Sequence, residues 1–259
     1  MLERRATAPQ REKVLVHIHF PKCAGTNIVR MLRQTTYNLP IDEQNGRDGR
    51  RFHERAPRTG DDMVKMMHVY KYVEHVSGVS FECDVPWILR GHPLFETFCV
   101  LRHPLSRMCS LARSHHLSAA QMLRMLQQDQ DVGFPHFPCT YGYHDNYYVR
   151  LLTQTLGEVP LEEAHIDLAM DYIQAIDHLY VYEVPGWQDR IPRDLRLRAA
   201  NTQHAQITSR YDAPTRDSFC TPEIRDLFYE TSWMDLELYY RVVDKFTNGD
   251  LLFADEYDV

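Results

Sequence analysis

The chain has 259 residues, 44% apolar and 25% charged, with a formal net charge of −7. That length suits one α/β domain over 1–259, or at most two small ones, and the acidic balance argues against a general nucleic-acid binder while leaving room for a local basic patch that holds a small anion. No run of about 18 apolar residues predicts a membrane span, and the opening MLERRATAPQREK lacks the apolar core of a signal peptide, so 1–12 is expected to be a flexible N-terminus.

In chain order, the alternating apolar run at 13–20 predicts a strand. Pro21-Lys22 and a small-residue loop, Cys23-Ala24-Gly25-Thr26-Asn27, follow it. A helix is predicted over 26–36 with Thr26 or Asn27 as its N-cap. The polar stretch 40–60 holds several arginines between Arg47 and Arg58. It reads either as a solvated linker or as an arginine-bearing lid over an anionic ligand. Residues 61–76 look helical. PWILRGH, 86–92, predicts a short buried strand ending at Gly91-His92, and ETFCVLR, 96–102, predicts another ending at Arg102. Pro104 suits the first turn of a helix that LSRMCSLARSHH continues, and SAAQMLRMLQQ predicts a second helix at 118–128.

Further on, the loop 131–145 is rich in Gly, Pro, His and aromatics, a composition common at substrate sites and also in structural packing. Helices are predicted at 146–156 and 161–176, a strand at 178–184, and irregular structure over 192–220. Two helices then end the periodic pattern, the first capped by Thr221 before Pro222. Strands alternating with helices predict a parallel β-sheet flanked by helices on both faces, of P-loop-like type.

The six cysteines form no C-x-x-C pair, which favours free thiols in a reducing, cytoplasmic setting. His17 and His19 alternate and so share one strand face. Two histidines alone are a weak metal signal, and no metal site is predicted.

In such a sheet, ligands bind outside the carboxyl ends of the strands. Backbone N–H groups at a helix N-terminus, together with Lys22, suit an anion held by Lys22, Cys23, Ala24, Gly25, Thr26 and Asn27. The Ser/Thr that follows the lysine in a P-loop NTPase, and that holds Mg²⁺, is replaced by Cys23. A second anion site is predicted at Arg102, with Ser106 and Ser110 one turn apart on the following helix. The competing reading pairs Arg102 with a carboxylate. These strand ends offer Lys, His and Arg, with no acidic residue among them.

HFPKCAGTN resembles the 5′-phosphosulfate loop of sulfotransferases that use 3′-phosphoadenosine 5′-phosphosulfate (PAPS). FCVLRHPLSRMCS resembles their 3′-phosphate motif, with the expected spacing from Arg102 to Ser110, and GHPLF resembles the Gly-His segment of the heparan-type uronyl 2-O-sulfotransferases. DNYYVRLL is similar to a further segment of that family carrying Asn and Arg, the AANT segment with Asn201 and Thr202 resembles its late nucleotide-covering loop, and DLELYYRV is also family-like. The pattern departs from the family at His103, where Asp is usual, and at Cys23, where Thr is common.

The resemblance implies a sulfotransferase moving a sulfuryl group from PAPS, without metal, to an acceptor hydroxyl on a small molecule or glycan. Lys22 would stabilise the departing phosphate. His92 would act as base, since imidazole titrates near working pH. Asn201 and Thr202 would help hold the nucleotide. Glu54, His53 and His68 are fallback bases, and Glu54, His68, His136, Tyr141, Tyr143 and His144 are candidate acceptor contacts. The lack of an apolar anchor leads to the expectation of a soluble, cytoplasmic relative or a truncated form, with no membrane partner. The alternatives are a P-loop-type kinase, which would need Mg²⁺, and a nucleotide-binding module without catalysis.

Overall fold

A computed structural model of the chain describes residues 13–25, 27–28, 31–32, 41–42, 78–82, 93, 95–127, 145–155, 159–197 and 220–247. Five strands form one parallel sheet: β1 (Val14–His19), β2 (Ile41–Asp42), β3 (Gly78–Glu82), β4 (Phe95–Leu101) and β5 (His178–Val181). Their order across the sheet is β2-β3-β1-β4-β5. The seven described helices with defined ends are α1 (Pro104–Ser114), α2 (Ala119–Leu126), α3 (Tyr147–Thr153), α4 (Ala164–Gln174), α5 (Trp187–Asp194), α6 (Pro222–Thr231) and α7 (Trp233–Thr247).

Strand alternation divides the core. Ile18, Phe20, Cys99, Leu101 and Val181 pack with Val149, Leu152, Ile166, Ile173, Leu238 and Val242 of α3, α4 and α7. On the other face, Leu15, Phe98, Val100 and Tyr180 pack with Ile28, Leu32, Trp187 and Ile191. Helices therefore cover both faces, as parallel strands require. A third cluster joins α1, α2 and α6 through Met108, Met122, Ile224 and Phe228.

Local signals work at several helix ends. Ser118 and Gln121 form a capping box at α2. The Thr221 hydroxyl accepts from the Ile224 N–H, and Pro222 stands in the first turn of α6. α1 ends in a Schellman arrangement: Leu117 N donates to Ala112 O at 3.0 Å and His116 N to Arg113 O at 3.2 Å. His116 has φ +55, so it occupies the left-handed position usually given to glycine.

Several expectations are corrected. The helix after β1 begins at Gly25, with Ile28 N bonded to Ala24 O at 3.1 Å, so Ala24 and not Thr26 or Asn27 stands at the cap. Ile41 and Asp42 are an edge strand of the sheet, inside the stretch read as linker or lid. β3 and α5 fall where no element was predicted. GVSFE is short and polar at alternate positions, and Pro192 lies inside α5. β5 stops at Val181 because the chain turns through 182–186, ending in Gly186 at φ +72. The predicted strand at 86–92, the helix at 61–76 and the loop 131–144 lie outside the described residues. Among the described residues, no helix is long and apolar enough to cross a membrane.

Candidate functional site

The sheet order makes β1 and β4 neighbours, in register from Val14↔Phe95 to Ile18↔Cys99. The chain leaves β1 toward β2 on one side, and leaves β4 toward β5 on the other. Connections diverging from adjacent strands open a crevice at their carboxyl ends, the usual ligand position in such sheets. Lys22 and its loop follow β1, and Arg102 follows β4, so the two motifs stand at the carboxyl ends of neighbouring strands, beside that crevice.

The loop is tightly wound. Cys23 N donates to Phe20 O at 3.1 Å. Lys22 and Ala24 take φ +69 and +64, unusual for residues with a Cβ. Asn27 N and Ile28 N both bond to Ala24 O. The backbone N–H groups of Ala24 and Gly25 have no backbone partner among the described residues. They are first-turn donors of the kind that hold anions. Lys22 is half-buried, and Gly25 is buried.

Arg102 reaches across the crevice. Its Nη1 donates to the Lys22 carbonyl at 3.3 Å, and its guanidinium lies 4.5 Å from the centre of the Tyr182 ring. Its Nε is buried with no hydrogen bond among the described residues. No described carboxylate forms an ion pair with it, so the competing reading of Arg102 as half of a salt bridge finds no partner among the described residues. The nearby Glu183 carboxylate is engaged elsewhere, accepting from His103 N at 3.0 Å and from the Tyr239 hydroxyl at 2.8 Å. Burial pushes its pKa up, against the pull of those bonds and of Arg102.

Tyr148 ties the motifs together. Its hydroxyl lies 3.1 Å from Cys23 Sγ and donates to Arg102 O at 2.8 Å, while Arg102 N approaches it at 3.4 Å. Cys23 therefore points into the core, away from the crevice, and burial raises its thiol pKa to about 11. Its side chain is not an anion ligand in this arrangement, and its N–H is already used. The expected contribution of Cys23 to the anion site is corrected accordingly.

Other residues of the motifs are braces. His103 caps α1 without a side-chain bond. Its buried ring instead lies edge-on to Tyr239, with Nε2 3.4 Å from the Tyr240 hydroxyl. Arg107 is buried, its guanidinium 4.1 Å from the Tyr147 ring centre. Arg150 pairs with Asp145 and donates to Val159 O at 2.7 Å. Ser106, Ser110 and Arg113 form the less buried stripe of α1, so Ser110 remains accessible on the helix that starts at the Arg102 motif.

One residue escaped sequence reasoning. His115, at the end of α1, has its pKa lowered by partial burial, then by Lys22 and His116. Its place just after the Arg102 helix is the signal that marks it. Thr26, Glu54, His68, His92, His136, Tyr141, His144, Asn201 and Thr202, with His53 and Tyr143, lie outside the described residues. No group of three or more His, Cys, Asp or Glu suited to a metal occurs among the described residues. No protein-family model matches the chain, and no curated protein matches it.

Proposed function

We propose that the protein is a PAPS-dependent sulfotransferase acting on an acceptor hydroxyl of a small molecule or glycan. The observation that supports this most is the 3.3 Å bond from Arg102 to the Lys22 carbonyl, which sets two cationic motifs side by side at the crevice between β1 and β4. A donor with two separated anionic groups suits that pairing. The 5′-phosphosulfate would meet Lys22 and the N–H groups of Ala24 and Gly25, with Thr26 and Asn27 beside them. The 3′-phosphate would meet Arg102 and Ser110. Asn201 and Thr202 would cover the nucleotide. A parallel sheet ordered β2-β3-β1-β4-β5, with helices on both faces, is in keeping with the reading.

In the reaction, the acceptor oxygen attacks sulfur, the bond from sulfur to the bridging phosphate oxygen breaks, and the acceptor proton passes to a base. Positioning and charge stabilisation carry such in-line transfers. Lys22 would neutralise charge growing on the departing phosphate. His92 is the proposed base, and His115 is a second candidate, since a neutral imidazole near Lys22 is able to accept a proton.

A phosphotransferase reading has one observation in its favour. Such enzymes hold Mg²⁺ with an acidic residue near the loop. β3 ends at Glu82, in register with His19 beside β1. The expectation of strand ends without a carboxylate is thus corrected. The missing Ser/Thr after Lys22 counts against this reading.

Calorimetry with 3′,5′-adenosine bisphosphate, with and without chelator, separates the readings. Metal-independent binding at micromolar concentrations supports the sulfotransferase. No binding, or Mg²⁺-dependent binding of ATP alone, overturns it. Turnover of labelled PAPS against glycans and small alcohols then distinguishes an enzyme from a binding module.

A further inference from the structure

β1 carries two imidazoles where its neighbour on the same face, Leu15, is apolar. His17 and His19 are buried, at 1% and 7% exposure. They form a column of rings: His17 stacks on Phe98 of β4 with centroids 4.9 Å apart, and His19 stacks on His17 at 5.2 Å, both at 19°. The column ends at the loop. A Cβ at position 25 would overlap His19 Nε2, Cε1 and Cδ2, so the ring edge occupies the space a side chain there would need. Gly25 begins the helix, and its N–H has no backbone partner among the described residues. The preceding Ala24 sits at φ +64, a conformation that costs an L-residue about 1 kcal/mol or more and needs support from its surroundings.

We propose that His19 is the positioning residue of the anion loop: its imidazole, seated on His17 and Phe98, fixes the Gly25 peptide so that its N–H faces the anion. This rests on reading the loop as the phosphosulfate site. Any side chain at 25 would push the peptide off the ring and turn that donor away. Removing the ring would leave the turn at Ala24 and Gly25 free to relax toward the core. The two residues should therefore act as one unit, and substitutions at them should not add.

The test is a double-mutant cycle read by calorimetry with 3′,5′-adenosine bisphosphate and, separately, inorganic sulfate. Gly25→Ala is expected to weaken nucleotide binding about 100-fold and His19→Ala about tenfold, with Gly25→Ala/His19→Ala binding more tightly than Gly25→Ala alone. A His19 that merely fills space would give the rescue without the tenfold loss in His19→Ala alone. His19→Gln, closer in size and still polar, is expected to stay within a few-fold of wild type and keeps the test open if His19→Ala does not fold. Additive losses, or His19→Ala binding like wild type, would overturn the proposal while the site reading stands. A wild-type protein that binds neither probe overturns the site reading, and this inference with it.

Discussion

Asn146 and Asp235 cap each other's helices. The Asn146 side-chain oxygen accepts from the N–H groups of Met234 and Asp235, at 2.9 and 3.2 Å, at the start of α7. The Asp235 carboxylate accepts from Tyr148 N and Val149 N, at 3.0 and 2.9 Å, at the start of α3. Asn146 takes φ +43, which asparagine tolerates better than most residues. The exchange anchors Tyr148, and through its hydroxyl both the Cys23 loop and Arg102.

Asp235 makes this anchor pH-sensitive. Burial raises its pKa from 3.8 to about 6, against the lowering effect of the two N–H bonds. A raised acid pKa contributes stability that is complete below the unfolded value and lost as pH rises through the folded one. Wild type is expected to lose about 1 kcal/mol more than Asp235→Asn between pH 5 and pH 7.5. Urea midpoints at the two pH values check this. Equal slopes would show that Asp235 titrates normally.

Tyr148→Phe keeps the ring packed edge-on against Phe20 but removes the hydroxyl shared by Cys23 and Arg102. The loss is expected to cost about 1 kcal/mol of stability and to weaken nucleotide binding, because the two motifs lose their common tie. Thermal melts with and without 3′,5′-adenosine bisphosphate report both effects. Unchanged ligand stabilisation would sink the coupling.

Lys22 and Arg102 should fail differently. Lys22→Ala is expected to lower kcat about 100-fold, as for loss of one charge-stabilising group, with a smaller change in nucleotide affinity. Arg102→Ala is expected to weaken affinity by about tenfold or more, the scale of a lost charged hydrogen bond. Steady-state kinetics alongside calorimetry separates the two, and the reverse pattern would mean that the sites are exchanged. Comparing His92→Ala with His115→Ala in the same assay identifies the base, which should show the larger fall in kcat.

His116→Gly is expected to stabilise the protein by about 0.5–1 kcal/mol, because glycine removes the strain at φ +55 in the Schellman turn at some cost in unfolded-chain entropy. Chemical denaturation gives the sign directly, and a destabilised variant would mean that the His116 side chain itself supports the turn.

Much of this was legible from local chemistry. The alternation of β1, Lys22 after its end, Pro104 opening α1 and the Thr221-Pro222 cap all act over a few residues, and the sequence alone determined them. So did the absence of the metal-binding hydroxyl after Lys22. Tertiary structure alone decided which strand ends meet. The short β3 lies beside β1 although its own pattern is weak, because sheet pairing outweighs propensity. Cys23 and Tyr148 meet across 125 positions, and Asn146 reaches α7 across 88. Such contacts depend on register and burial, which no local pattern encodes. They turn Cys23 and Arg107 into the core and leave Lys22 and Arg102 at the crevice.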